Sequence, residues 1–203
     1  MNERVLNQTE KTSTTEDYLK SERQNISKNE FNNGQVLAKS GLNRWHNLIA
    51  TNATIAVGSR LSNHKCEIYT GNMRVQLSRN RFCYPDLVMV NGEPNFTDSN
   101  CDILLNPSIV LEIFSNKVNS FDKMEKLESY LAMESIRECL FVKEDEMRVE
   151  HYARQNAKQW IYKIYNERDD VIALESINCK ISLAEIYTHI KFKPTEISSK
   201  AVN

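Results

Sequence analysis

Two apolar runs dominate the hydrophobic pattern of the chain. CYPDLVMV (83–90) and SIVLEIFS (108–115) read as buried β-strands. The second is apolar on both parities of an extended chain, as expected for a strand covered on both faces. The first extends back to Phe82, so one strand is predicted over 82–90. Pro85 removes an amide donor there and predicts a sheet edge or a bulge. Each run holds one carboxylate among its apolar residues, Asp86 in the first and Glu112 in the second.

Helical spacing governs two other segments. In LNRWHNLIATNATIAVGSRL (42–61), Leu42, Trp45, Leu48, Ile49 and Ile55 form the expected buried stripe, and Gly58 reads as a C-terminal stop. FDKMEKLESYLAME (121–134) predicts a helix with Met124, Leu127 and Leu131 as its core stripe. Asp122 lies in its first turn, where a negative charge suits the helix dipole.

Shorter elements surround these. STTEDYLKSE (13–22) predicts a helix with Ser13 and Glu16 at capping-box spacing. EFNNGQV (30–36) predicts a small hairpin turning at Asn-Asn-Gly, with Glu30 on its first strand. CEIYT (66–70), MRVQL (73–77), ECLFVK (138–143), MRVEHYAR (147–154) and QWIYKIY (159–165) read as strands, and 91–106 as a loop. SLAEIYTHI (182–190) is a closing helix with Ser182 and Glu185 at capping-box spacing. Residues 1–12 and 194–203 are polar and are expected to be loose tails. No repeat or linker divides 13–193. The element order predicts a single α/β or α+β domain built on a mixed sheet.

Composition narrows the function classes. The 203 residues suffice to bury a real core. The 26 basic and 27 acidic side chains nearly cancel, so the chain lacks the global positive field of a tight, nonspecific nucleic-acid binder. Five dispersed cysteines suggest neither a disulfide framework nor a zinc knuckle. With no apolar leader and no run long enough to span a bilayer, a soluble cytoplasmic protein is expected.

The two strand carboxylates need a physical reason. An isolated buried carboxylate is costly. Two converging in one small sheet repel, and one would bind a proton unless a cation sat between them. A hard divalent ion such as Mg²⁺ is the natural solution, and it can activate water beside a phosphate. On the following helix, Lys123, Lys126 and Tyr130 lie at i, i+3 and i+7, beside the core stripe. That face would lie over the sheet's edge, bringing Lys126 within reach of the carboxylates. Lys117, in the preceding loop, reads as a solvated lysine. His46 reads as a surface or packing residue, and Trp45 and Trp160 as core. His64, His151 and His189 show no ligand spacing.

These residues in this order resemble a known family. Pro85-Asp86, the run Pro107–Ser115, Asp122–Lys126–Tyr130, Ile136-Arg137-Glu138 and Val149-Glu150-His151-Tyr152 resemble the Uma-type restriction-endonuclease family (DUF820-like), within the PD-(D/E)xK nuclease superfamily. The N-terminal helix and hairpin also fit, with Glu30 at the family's acidic position, so the likeness covers roughly 13–190. It implies a restriction-endonuclease-like fold, a central mixed β-sheet flanked by helices. It implies Asp86 and Glu112 as metal ligands, completed by the backbone carbonyl of Ile113. Phe114 occupies the place where the superfamily normally has its lysine, and the resemblance implies that Lys126 stands in for it. Glu30 is implied to help with metal or water, and Tyr130 to orient Lys126 or a phosphate. The loop after Glu112 departs from the family: Ser115 is kept, but the usual proline and threonine are missing, and Cys139 replaces a usual tyrosine.

The expectation is therefore a DNA endonuclease that depends on Mg²⁺, with Mn²⁺ able to substitute. A homodimer would supply two centres for two strands. Two rivals share the fold: a nuclease-like scaffold that binds without cutting, and a hydrolase of another phosphate ester.

Overall fold

The computed structural model describes residues 12–39, 43–61, 65–115 and 120–192. The two expected tails, Thr12 apart, lie outside these residues, as do Leu42, His64 and Lys117. In chain order the elements are α1 (Thr15–Glu22), β1 (Asn29–Asn32), β2 (Gln35–Ala38), α2 (Arg44–Gly58), β3 (Cys66–Thr70), β4 (Arg74–Ser78), β5 (Arg81–Cys83) and β6 (Leu87–Asn91). There follow β7 (Ile103–Leu104), β8 (Ile109–Phe114), α3 (Ser120–Ala132), β9 (Glu138–Lys143), β10 (Val149–Asn156), β11 (Gln159–Tyr165), β12 (Val171–Leu174), β13 (Cys179–Ser182) and α4 (Leu183–Ile186).

A six-stranded sheet, ordered β11-β10-β9-β8-β6-β3, forms the centre of the molecule. It is mixed: β8 and β9 run parallel, joined through α3, and the remaining pairs are antiparallel. A second sheet, β2-β1-β5-β4-β7, packs beside it, and β12 and β13 form a separate ribbon.

Strand parity sorts the core into two layers. Odd residues of β8 (Ile109, Leu111, Ile113) pack with Leu87 and Met89 against Ile49, Ala53 and Val57 of α2, and against the β12–β13 ribbon. The even residue Val110 packs with Val88, Val90 and Cys139 against Leu127 and Tyr130 of α3. Glu112 therefore belongs to the α3 face. A third cluster, Tyr18, Phe31, Phe82 and Ile103, ties α1 to the smaller sheet.

The strand predicted over 82–90 is broken. β5 pairs in the smaller sheet and β6 in the central one, and Tyr84-Pro85-Asp86 carries the chain between them. Proline has no N–H to give to a ladder, which makes this the natural point of transfer. The register Leu87↔Leu111 of β6 and β8 then sets Asp86 beside Glu112.

Other expectations shift by a residue or a face. Thr14 rather than Ser13 caps α1, accepting from the Asp17 N–H. α2 runs through Gly58 and ends on Ser59 in a right-handed conformation. Its stripe is His46, Ile49, Ala53, Ala56 and Val57, and Ile55 is exposed. On α3, Met124 is exposed and Tyr130 is fully buried, because a tyrosine can enter a core when its hydroxyl finds a partner. The 91–106 loop contains β7, the β12–β13 ribbon was not expected, and α4 stops at Ile186 although its Ser182/Glu185 capping box forms. No helix among the described residues is long and apolar enough to cross a membrane.

Candidate active site

Asp86 is 5% and Glu112 8% exposed, and each is held by specific donors. Asp86 Oδ2 accepts the Ile113 N–H at 2.8 Å and lies 3.1 Å from His46 Nε2. Asp86 Oδ1 lies 3.0 Å from the Lys39 ammonium, which also donates to the Tyr84 carbonyl. Glu112 Oε1 receives the Tyr130 hydroxyl and, at 2.9 Å, the Lys126 ammonium. Lys126 reaches on to Glu30 Oε1 at 3.0 Å, and the same oxygen accepts the Tyr84 N–H at 3.2 Å. The hinge between the sheets is thereby bound on both sides: Tyr84 gives its N–H to Glu30 and its carbonyl to Lys39.

The chain builds this cluster from separate elements. β1 presents Glu30 and the end of β2 presents Lys39. The first turn of α2 brings His46, and its N-cap Asn43 accepts the N–H groups of Trp45 and His46. α3 lays Leu127 and Tyr130 on the sheet, so Lys126 beside them points to the acids.

Electrostatics follow from burial and crowding. Burial raises the Glu112 pKa; Lys126 opposes this and the Asp86 charge adds to it, leaving it above the ordinary value. Burial also pushes Asp86 up, but the His46 hydrogen bond, Lys39 and the Ile113 N–H outweigh it, so its carboxyl sits below the usual range. Burial lowers the Lys126 pKa, yet Glu112 and Glu30 raise it well above that of a free lysine. Lys126 is an ammonium at neutral pH.

All five predicted side chains, Asp86, Glu112, Lys126, Glu30 and Tyr130, meet here. Tyr130 is fully buried, and its hydroxyl donates to Glu112. Ile113 joins through its N–H. Phe114 packs edge-on to Phe141 and carries the Lys123 ammonium 4.1 Å over its ring; Lys123 pairs with Glu150 at 2.8 Å, away from the acids. Lys39 was not singled out, and His46, read as a surface or packing residue, is buried against Asp86. The signal for His46 was a polar residue within the apolar stripe of α2; Lys39, at a hairpin end, offered none. Among the described residues no group of three or more His, Cys, Asp or Glu side chains could hold an ion.

Two hollows meet at this point. One of about 320 Å³ is lined by Glu30, Asp86, Glu112 and Lys126. The other, of about 750 Å³, lies between the β1–β2 hairpin, α2 and the β3–β4 turn. Lys39, His46 and Asp86 line both.

A mixed sheet flanked by helices carries the two acids, Asp86 just before β6 and Glu112 on β8. A crystal structure described as that of "a putative nuclease belonging to DUF820", from Anabaena variabilis ATCC 29413, shares the fold. Its TM-score is 0.70 at 16% identity, over 86% of this chain and 97% of that one. The family model Uma2, "Putative restriction endonuclease", matches residues 15–184, and the chain belongs to that family. It is also similar to two uncharacterized proteins of Synechocystis sp. (strain ATCC 27184 / PCC 6803 / Kazusa). With sll1609 it is 30% identical over 75% of this chain and 87% of that protein. With slr1290 it is 25% identical over 87% and 92% respectively.

Proposed function

We propose that the chain is a Mg²⁺-dependent endonuclease that hydrolyses DNA phosphodiester bonds, with Mn²⁺ able to replace Mg²⁺. One observation carries the reading: Asp86 and Glu112 lie side by side, buried, with the Lys126 ammonium on the second. The family's description agrees with it.

The donor set suits a hard cation. Two carboxylates and the Ile113 carbonyl offer oxygens only, and Mg²⁺ commonly takes one or two carboxylates and keeps water for the rest. Bound Mg²⁺ would polarise the phosphoryl oxygens and lower the pKa of a bound water. The chain's own residues set the geometry. The Ile113 N–H and His46 fix the Asp86 carboxylate, and Tyr130 fixes that of Glu112. Glu112 Oε2 carries neither the Tyr130 nor the Lys126 bond, so Glu112 would be free to hold the ion through it. Lys126, whose ammonium lies 2.9 Å from Glu112, would balance negative charge developing on the phosphate. Glu30 holds Lys126 in place.

Purified protein incubated with supercoiled plasmid and Mg²⁺ or Mn²⁺ tests this. Nicking is expected for the natural chain and is abolished in Asp86→Ala and Glu112→Ala, both still folded. Undiminished cleavage by both variants would sink the mechanism. The same reading includes a homodimer, with one centre for each strand of a duplex, which sedimentation of the intact chain measures.

One observation favours a rival, a non-cutting scaffold on this fold. Lys39 and Lys126 already give Asp86 and Glu112 a cation each. That reading predicts no divalent-ion binding at the two acids.

A further inference from the structure

The β1–β2 hairpin continues one pair past its ladder. The Lys39 N–H donates to the Lys28 carbonyl at 3.0 Å, next to the pair Asn29↔Ala38. Lys28 and Lys39 thus stand opposite each other, where cross-strand side chains share a face and like charges destabilise the ribbon.

The two lysines have unequal company. Lys39 rests on Asp86. The Lys28 ammonium donates to the Gly71 carbonyl at 3.3 Å and to the Asn72 side-chain oxygen, and among the described residues no carboxylate pairs with it. Burial first, then the Lys39 charge, lower the Lys28 pKa. Both lysines line the 750 Å³ groove. Asp86 is the single carboxylate on its walls; the α2 side is His46, Asn47, Ala50, Thr51, Thr54 and Ile55. The smaller hollow carries five acids, Glu30, Asp86, Glu112, Asp122 and Glu125, against four cations, Lys39, Arg81, Lys123 and Lys126. The groove therefore carries two cations against one carboxylate, and Lys28 is the cation that Asp86 does not meet.

We propose that this groove is a phosphate subsite, in which Lys28 and Lys39 together take the backbone phosphate neighbouring the one at Asp86 and Glu112. An ammonium offers three donors, and a phosphate between the two lysines would relieve their repulsion. Lys39, shared by both hollows, sets the two phosphates in series along one strand. The occupant, DNA, rests on the function proposed above.

The test is fluorescence anisotropy of a labelled DNA duplex with the full chain in Ca²⁺, titrated over about 50–200 mM salt. Each phosphate contact contributes about 0.9 to the slope of log affinity against log salt on duplex DNA. Lys28→Ala should weaken binding several-fold at low salt and lower that slope by about 0.9. Thr51→Lys, at an exposed position of α2 where folding is not at issue, should strengthen binding and raise the slope by a similar amount. If the natural chain binds DNA and both variants leave affinity and slope unchanged, the subsite is wrong and the nuclease reading stands. If the natural chain neither binds nor cuts DNA, the nuclease reading fails and takes the subsite with it.

Discussion

Two buried acid clusters sit on the central sheet, on the neighbouring strands β8 and β9, and they differ in what surrounds them. Glu138 on β9 is 2% exposed. Its Oε2 lies 2.7 Å from His151 Nε2, and its Oε1 accepts the Ser176 N–H at 2.9 Å and the Ser176 hydroxyl at 2.6 Å. Both oxygens are used, no lysine or arginine among the described residues pairs with it, and neither hollow reaches it. Glu112 on β8 has a second acid beside it, lysines from two elements around the pair, and an open wall. A buried carboxylate alone is therefore no sign of a site, since Glu138 is a closed, satisfied tie between β9 and the segment before β13. The convergence of like charges against an opening is what marks Asp86 and Glu112.

The contrast can be broken from either side. After the loss expected at the two acids themselves, the largest effect is expected at Lys126→Met: DNA cleavage should fall by about 10²–10³, or roughly 3–4 kcal/mol of transition-state stabilisation. Single-turnover rates measure this. Glu138→Ala should do the opposite. It leaves His151 and Ser176 without their acceptor, costing about 3 kcal/mol of stability in urea unfolding, with the cleavage rate of folded protein unchanged. If Glu138→Ala abolished cleavage in folded protein, the two clusters would not be distinct.

Tyr130→Phe sharpens the comparison by removing the bond to Glu112, together with the 3.4 Å contact with Cys83 Sγ. A loss of about 1 kcal/mol in stability is expected, with a modest loss of metal affinity measured by calorimetry. The smallest effect concerns Glu150. Burial pushes its carboxyl up, but the Lys123 hydrogen bond and Arg148 bring it below the ordinary 4.5. Its folded value thus lies under its unfolded one, so its contribution is present at neutral pH and is lost as pH falls through the folded value. Urea midpoints followed into the acid range should decline less steeply in Glu150→Gln.

Much of this was legible in the sequence because apolar runs make a charge conspicuous. Glu112 is the sole charge in a strand buried on both faces, and Asp86 follows a proline that had to end one ladder. The helix after β8 was legible in place but not in rotation. Met124 and Tyr130 both sit beside Leu127 in helical spacing, and only the acceptor at Glu112 decides that the tyrosine goes in. The break at Tyr84-Pro85-Asp86 escaped because the residues on both sides of it, 82–84 and 87–90, are apolar whichever sheet they join. Lys39 and His46 come from a hairpin end and a helix start remote from either acid, and no spacing links them to Asp86 before the chain folds.

The central claim is that Asp86 and Glu112 share one divalent ion. Crystals soaked in Mn²⁺ and measured at its absorption edge test it most directly. The account predicts an anomalous peak bonded to oxygens of both carboxylates, lost in crystals of Asp86→Asn. A saturating soak of well-ordered crystals that leaves no peak between the two acids would contradict it.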